Sequence, residues 1–130
     1  MFLSELTEPQ KTAFHNIAMG LIYSDDILDI NEANLMANLI REMGLSSKII
    51  SKKQNPEEVL EVFDTKKSKT IVILELLILG NSDDDFNIDE NNYIQKIADS
   101  LGINSLEFSD MKWWAKKKAD LDKEVLKFFE

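Results

Sequence analysis

The sequence contains no cysteine among its 130 residues. Disulfides, thiol catalysis and cysteine-based zinc or iron–sulfur sites are therefore excluded. Proline and glycine are also scarce, with two and four residues, and no low-complexity segment or domain linker interrupts the chain. The longest apolar run, residues 71–79, is broken by Glu75 and is far shorter than the roughly 20 apolar residues that span a bilayer. The composition therefore predicts no membrane insertion.

Basic residues are also in short supply, because 15 lysines and arginines stand against 24 aspartates and glutamates and leave a formal charge of -9. Such a charge repels nucleic-acid phosphates, so we expect no nucleic acid as a partner. It suits cations or basic protein surfaces, and it also favours solubility without any further function. The start of the chain carries Glu5 and Glu8 and no basic run, which is unlike a secretory signal. We therefore predict a cytoplasmic protein.

The chain does contain enough apolar material, 44% of its residues, for one packed domain over residues 1–130. Helix signals recur along it and predict an all-α domain of about six or seven helices. Thr7 and Gln10 form the first signal, because each side chain can accept a hydrogen bond from the other residue's backbone amide. Further helices are predicted after Asp29, after Asn55, over 66–79, over 89–101 with Asn87 as the cap, and over 105–130, with Gly44 and Gly102 ending two of them.

Residues 70–79 carry a mixed signal for secondary structure. Ile71, Val72 and Ile73 favour a strand, whereas residues 74–79 favour a helix. The segment is long for a strand once its preceding lysines are included, and the sequence offers no second strand to pair with it. We therefore predict a helix, and its apolar density predicts that it is the most buried segment of the protein.

An internal repeat links two parts of the chain, because residues 24–47 align without a gap on residues 82–105. Eight residues of the first copy recur unchanged 58 positions later: Ser24, Asp25, Asp26, Ile30, Glu32, Asn34, Gly44 and Ser47. Helix caps and terminal glycines look alike in many proteins, but they do not account for the Ser-Asp-Asp triplet before each cap. We therefore predict a helix-loop-helix duplication, with copies near 7–47 and 66–105, that packs in one globule and brings Asp25 close to Asp83.

The two copies resemble the TerB tellurite-resistance family. TerB-like domains carry an alanine or similar small residue, then Asp-Gly, a short loop and a glutamate at the start of the next helix, and they carry this unit twice. The pattern is matched over roughly residues 10–110 by Asp25 with Glu32 and by Asp83 with Glu90. Asp26 and Asp84 replace the family's glycine, and aspartate tolerates a left-handed backbone less well. The resemblance implies an all-helical fold and a role in metal-linked stress response.

The same two segments gather many carboxylates. Carboxylate oxygens suit calcium, magnesium or manganese, and a divalent ion would relieve the repulsion between crowded acids. The candidate metal ligands are Asp25, Asp26, Asp29, Glu32, Asp83, Asp84, Asp85 and Glu90. The EF-hand pattern is not met, because Ile88 stands where that loop needs glycine and Ile94 where it needs glutamate. The alternative interpretation is that acids gather at helix N-termini because the helix dipole favours them.

Signals for catalysis are weak. His15 is the single histidine, and it lies beside the apolar stripe of the first predicted helix with no serine or cysteine partner at a suitable spacing. It is therefore interpreted as a structural or surface residue. Paired carboxylates can exchange protons with a substrate, but no motif positions a substrate beside them, and no glycine-rich phosphate loop is present. We therefore predict that the chain is not an enzyme.

One short segment, residues 112–118, combines lysines with two tryptophans. Neighbouring residues on a helix point about 100° apart, so Trp113 and Trp114 are not expected to be equally buried. Phe108 and Met111 share a face with Trp114, which predicts that Trp114 is buried and Trp113 exposed. Exposed tryptophan beside lysines is typical of a partner-binding surface, and the alternative is that Trp113 covers the edge of the core. The candidate partner-binding residues are Trp113, Lys116 and Lys117.

These features favour a non-enzymatic TerB-like interaction domain that binds a protein partner and is regulated by a divalent cation bound to its acidic segments. A protein of another class fits the same acidity, namely an inhibitor or immunity protein that neutralises a basic toxin through complementary charge. The sequence leaves the identity of the partner and the oligomeric state open.

Overall fold

The computed structural model describes residues 2–22, positions 34, 37, 38, 41, 42 and 44, residues 59–81 and residues 88–130. These parts hold four continuous α-helices: α1 (Glu8–Ile22), α2 (Lys66–Gly80), α3 (Ile88–Ser100) and α4 (Ser105–Val125). Positions 34, 37, 38, 41 and 42 are helical as well. Three short 3₁₀ turns accompany them, at Leu3–Glu5, Leu60–Val62 and Leu126–Phe129. The described residues contain no strand, so the predicted all-α class is confirmed for this part of the chain. The total of six or seven helices stays a prediction, because some of the expected helices fall outside it.

α1 begins where the sequence predicts, because Thr7 and Gln10 cap each other. The Gln10 amide donates to Thr7 Oγ1 at 3.3 Å, and the Thr7 amide donates to Gln10 Oε1 at 3.0 Å. The side-chain amide of Gln10 also donates to the Val62 carbonyl at 3.0 Å, which ties the start of α1 to the second 3₁₀ turn. The helix then buries one apolar face, formed by Ala13, Phe14, Ile17, Ala18 and Leu21.

α2 is the central helix of the described structure and contacts α1, α3 and α4. Residues 70–79 are helical, which confirms the predicted helix, and α2 is the most heavily buried of the described elements. The Ser68 amide donates to Thr65 Oγ1 at 3.0 Å and the Thr65 amide donates to Ser68 Oγ at 3.2 Å, a reciprocal cap that the sequence analysis did not identify. Burial among three helices therefore outweighs the strand preference of the β-branched residues.

Glu75 is a buried carboxyl group in the middle of α2, with 1% of its surface exposed. A buried polar group must find hydrogen-bond partners to offset the loss of water. Glu75 Oε1 accepts a hydrogen bond from the backbone amide of Phe2 at 2.7 Å. This contact holds the first 3₁₀ turn against α2, where Leu3 is fully buried.

α3 packs against both α1 and α2. The Tyr93 hydroxyl donates to the Ile17 carbonyl at 2.9 Å and so joins α3 to α1. Gly20 permits this approach, because a Cβ atom at that position would overlap the Tyr93 hydroxyl. The buried residues of α3 are Glu90, Ile94, Ile97 and Ala98.

The two glycines predicted to end helices both adopt the left-handed conformation, with φ of 69° at Gly44 and 77° at Gly102. Glycine enters this region without steric strain. At the end of α3 the Ile103 amide donates to the Ala98 carbonyl at 3.0 Å and the Gly102 amide donates to the Asp99 carbonyl at 3.1 Å, a Schellman motif. The internal duplication stays a prediction, because most of its first copy lies outside the described residues.

Candidate functional site

The surface of greatest functional interest lies on α4, the longest described helix. Asn104 caps it by accepting a hydrogen bond from the Glu107 amide at 2.8 Å. The helix has 21 residues, so a rise of about 1.5 Å per residue makes it about 31 Å long. Its first half packs on the core, since Phe108 is buried and the Trp114 ring lies 6.3 Å from the ring of Phe2.

The second half of α4 leaves the core and carries apolar side chains into solvent. Every residue from 120 to 130 is exposed. Five of them are large and apolar: Leu121 (61% exposed), Val125 (43%), Leu126 (59%), Phe128 (83%) and Phe129 (78%). Single exposed apolar residues are common on proteins, but a contiguous group marks a binding surface. The sequence analysis assigned this segment to helices by its spacing and did not identify it as a binding surface.

Trp113 extends this exposed group toward the middle of α4. Its side chain is 62% exposed, whereas Trp114 is partly buried against the core, so the predicted order of exposure is confirmed. The Lys117 ammonium lies 5.7 Å from the centre of the Trp113 ring, which is a cation–π contact. Lys116 is also exposed. The three predicted partner-binding residues are therefore neighbours on the outer side of the helix.

Two open grooves border this part of the molecule. One, of about 360 Å³, lies between the end of α2 and α4 and is lined by Leu77, Asn81, Ser109, Lys112, Trp113 and Lys116. The other, of about 500 Å³, lies at the far end of α4 and is lined by Leu121, Glu124, Val125, Lys127 and Phe128. Both combine apolar walls with a charged rim, as protein-binding surfaces do. The α4 surface consists of Trp113, Lys117, Leu121, Glu124, Val125 and Phe128.

Charge changes sign along α4. Four lysines come first, at positions 112, 116, 117 and 118, and residues 120–124 follow with three acids and one lysine, Lys123. Lys118 Nζ pairs with Asp122 Oδ2 at 2.8 Å within the helix. Lys117 and Glu124 form no ion pair with any other residue in the described ranges. Both of these charges are therefore available to a partner.

The predicted metal site falls mostly outside the described residues. Seven of the eight candidate ligands lie outside the described residues: Asp25, Asp26, Asp29, Glu32, Asp83, Asp84 and Asp85. The expected closeness of Asp25 and Asp83 therefore stays a prediction. Glu90, the remaining candidate ligand, lies in the first turn of α3 and is buried, with 3% of its surface exposed. Within the part of the chain that the structure describes, no three histidine or acidic side chains come together as a metal-binding group.

His15 lies in the core, as its place beside the apolar stripe suggested, with 6% of its surface exposed. Burial lowers the pKa of His15 below the usual 6.5. Burial also raises the pKa of Tyr93 to about 12. Desolvation is the cause in both cases and favours the neutral form of each group, which is consistent with a structural role.

None of the helices in the described ranges combines the length and the apolar character that crossing a bilayer requires.

Comparison with protein-family models, curated proteins and solved structures finds no match for this chain. The resemblance to the TerB family therefore stays a hypothesis that rests on the two acidic segments. The described residues define a helical domain whose last helix bears an exposed apolar and charged face. The function has to be argued from that face.

Proposed function

We propose that this chain is a non-enzymatic helical domain that acts by binding another protein through the α4 surface. The observation that carries the proposal is the continuous exposure of residues 120–130, which include Leu121 and Phe128. Covering one leucine or phenylalanine side chain contributes about 1.5–3 kcal/mol. Several such residues on one helix therefore favour association with a partner over exposure to water.

Trp113 is the expected anchor of this contact. Tryptophan is enriched among the few residues that supply most of the free energy of binding at protein interfaces. Lys117 and Glu124 lie beside the apolar residues of the α4 surface and carry opposite charges. Such charges fix orientation and partner choice more than they add affinity.

The proposal is tested by placing a photoreactive benzophenone side chain at single positions of the full chain and illuminating living cells. We expect positions 113 and 121 to crosslink to a protein, because the partner covers them. Asp99 on α3 provides the matched control position, since it is exposed like Trp113 but its exposed neighbours Gln95, Lys96 and Ser100 are polar. Equal crosslinking at all three positions, or no crosslinking at 113 and 121, would contradict the proposal.

The second part of the proposal is that a divalent cation regulates binding, as the resemblance to TerB-like domains implies. The two Ser-Asp-Asp segments support it, because they concentrate carboxylates. An ion held by both segments would bind the folded chain only, since the unfolded chain cannot gather these groups, and it would therefore stabilise the fold. At a concentration a hundredfold above the dissociation constant, a bound ion stabilises the fold by about 2.7 kcal/mol. We therefore expect calcium, magnesium or manganese to raise the melting temperature by several degrees.

Two controls decide whether such a thermal shift reports a specific site. Asp25→Asn and Asp83→Asn should abolish the shift and leave the ion-free protein at least as stable, since each substitution removes repulsion. Sodium chloride at equal ionic strength should produce a smaller shift, because it only screens the charge of -9. A shift that sodium chloride reproduces, or that survives both substitutions, would leave the acidic segments as helix-capping surface.

The alternative function is an acidic inhibitor or immunity protein for a basic toxin, and the net charge of -9 favours it. The salt dependence of binding separates the two functions. A complex held by opposite charges weakens steeply as ionic strength rises, whereas a complex built on the apolar residues of α4 does not. An inhibitor would also crosslink from its acidic segments rather than from positions 113 and 121.

A further inference from the structure

We propose that the partner of the α4 surface is a second copy of this chain, paired antiparallel to the first about a twofold axis near Leu121. This inference rests on the proposed function, because it names the partner of the same surface. It is carried by the spacing of the exposed apolar residues, by the order of the charges between them and by the groove beside Trp113.

The exposed apolar residues form a stripe along α4 and the 3₁₀ turn that follows it. Leu106, Trp113, Leu121 and Phe128 are separated by seven, eight and seven positions. Each of them is at least 61% exposed. Seven residues return a helix to the same face within about 20°, and eight residues advance it by about 80°, so these side chains share one broad side of the helix. Helices that pair along their length meet at residues three or four positions apart. From Trp113 to Phe128, apolar residues take every second such position, and Lys117 and Glu124 take the positions between them.

Two opposite charges occupy the layers between the apolar residues. Lys117 stands between Trp113 and Leu121, and Glu124 stands between Leu121 and Phe128. In an antiparallel pair centred beside Leu121, Lys117 of one copy faces Glu124 of the other, and Trp113 faces Phe128. Each contact occurs twice because the interface is isologous. Between Trp113 and Phe128 the stripe is therefore complementary to itself in both charge and apolar surface.

The same charges disfavour a parallel pair. A parallel arrangement would set Lys117 against Lys117 and Glu124 against Glu124. Like charges facing each other destabilise helix contacts and act against the wrong partner geometry. The antiparallel arrangement is the one that gives both residues an opposite charge.

The antiparallel arrangement also places the C-terminal end of each exposed segment beside a groove of the other copy. Phe128 of the second copy would lie next to Trp113, at the groove of about 360 Å³ that Leu77 helps to line. The exposed end of one chain would thereby cover apolar surface at the edge of the other chain's core. This contact extends the interface beyond the two helices themselves.

The expected affinity follows from the size of the contact. The shared segment, residues 113–128, is about 24 Å long at about 1.5 Å per residue. Standard protein interfaces bury about 1,600 Å², and one helix pair of this length buries less. We therefore expect a reversible dimer with a dissociation constant on the order of 100 µM rather than a permanent one.

Sedimentation velocity on the unmodified chain and on charge variants tests the pairing. The unmodified chain should pass from monomer to dimer between about 1 µM and about 1 mM. Lys117→Glu and Glu124→Lys should each weaken the dimer roughly tenfold, because each replaces two attractive contacts by two repulsive ones. The double variant should restore the original affinity, since its charges are again opposite across the antiparallel contact.

A cysteine introduced near the axis gives an independent measurement, because the chain has no cysteine of its own. Under mild oxidation, Leu121→Cys should form a disulfide-linked dimer faster than Asp99→Cys, which is exposed on α3 and away from the stripe. Pairing brings the two engineered thiols together and raises their effective concentration. Equal rates for the two variants would contradict the pairing.

The outcomes separate this inference from the proposed function. A chain that stays monomeric at about 1 mM overturns the self-pairing, and so do single charge variants that associate as well as the unmodified chain. If positions 113 and 121 then crosslink to a different protein, the proposed function still holds. If they crosslink to no protein, both proposals are wrong.

Discussion

The two halves of α4 obey the same helical periodicity and end in opposite environments. In the first half, Phe108 is buried and Trp114 packs against the core. In the second half and the 3₁₀ turn that follows it, Leu121 and Phe128 are as apolar but lie in solvent. An apolar stripe shows that a helix face is suited to burial, but it does not show what covers that face. The comparison teaches that an apolar helical pattern in a sequence can mark either the core of the chain or a surface that only a partner would bury.

The largest expected difference between the halves comes from the same substitution at two phenylalanines of the C-terminal segment. Phe108→Ala should reduce the free energy of unfolding by about 3–5 kcal/mol, because it opens a cavity in the core. Phe128→Ala should change it by less than about 0.5 kcal/mol, because that side chain is 83% exposed. Urea denaturation at low micromolar concentration, where the chain is monomeric, measures both values.

Similar losses for the two variants would remove the distinction between the halves. A large loss for Phe128→Ala in dilute solution would mean that the end of α4 is covered by its own chain. Circular dichroism is the control for misfolding, and the spectrum of Phe128→Ala should match that of the unmodified protein.

The adjacent tryptophans sharpen the comparison at the boundary between the halves. Trp114→Ala should cost about 1–3 kcal/mol, because the ring packs against Phe2 and the core. Trp113→Ala should cost less than about 0.5 kcal/mol of monomer stability, but it should weaken association. In Trp114→Phe, the remaining tryptophan fluorescence should be quenched by iodide far more than in Trp113→Phe. The reverse order of quenching would place Trp113 in the core.

A smaller effect concerns the core alone, where the free energy of unfolding should depend on pH through the buried His15. The pKa of His15 lies below its usual 6.5 in the folded chain. As pH falls below about 6.5, His15 is therefore protonated more fully in the unfolded chain than in the folded one. The free energy of unfolding should therefore fall as pH drops through about 6.5, by at most about 1.4 kcal/mol per pH unit from this residue. His15→Gln should remove that part of the slope.

Denaturation at several pH values between about 7.5 and about 5.5 checks the assignment. Titrating carboxylates add a slope of their own, so the comparison is between His15→Gln and the unmodified protein. An unchanged slope in the variant would mean that His15 binds protons equally well in the folded and unfolded chains.

The sequence predicts the described fold well where local chemistry and burial agree. The Thr7–Gln10 cap and the left-handed glycines at 44 and 102 are where the pattern puts them, because a cap or a left-handed turn suits few residue types. The helix at 70–79 was harder to predict, because its β-branched residues favour a strand. The length of the segment and the lack of a pairing strand predicted a helix, and the structure confirms it.

Other features could not be predicted because they depend on contacts far apart in the sequence. The hydrogen bond from Phe2 to Glu75 spans 73 positions, and no local pattern announces it. The Thr65–Ser68 cap uses serine where glutamate or glutamine is usual, so it escaped the pattern for helix starts. The candidate site was predicted at Trp113, Lys116 and Lys117, but its continuation to residues 121–129 depends on where the core ends.

Amide hydrogen exchange measured at about 1 µM and about 1 mM tests the central claim most directly, because it reports protection along the whole chain. In dilute solution, residues 120–129 should exchange much faster than residues 66–80 of α2 and residues 106–116 of α4. At high concentration the exchange of residues 117–129 should slow, because the second copy covers them, while that of α2 should not change. Protection of residues 120–129 equal to that of α2 in dilute solution, or no slowing at high concentration, would contradict the account.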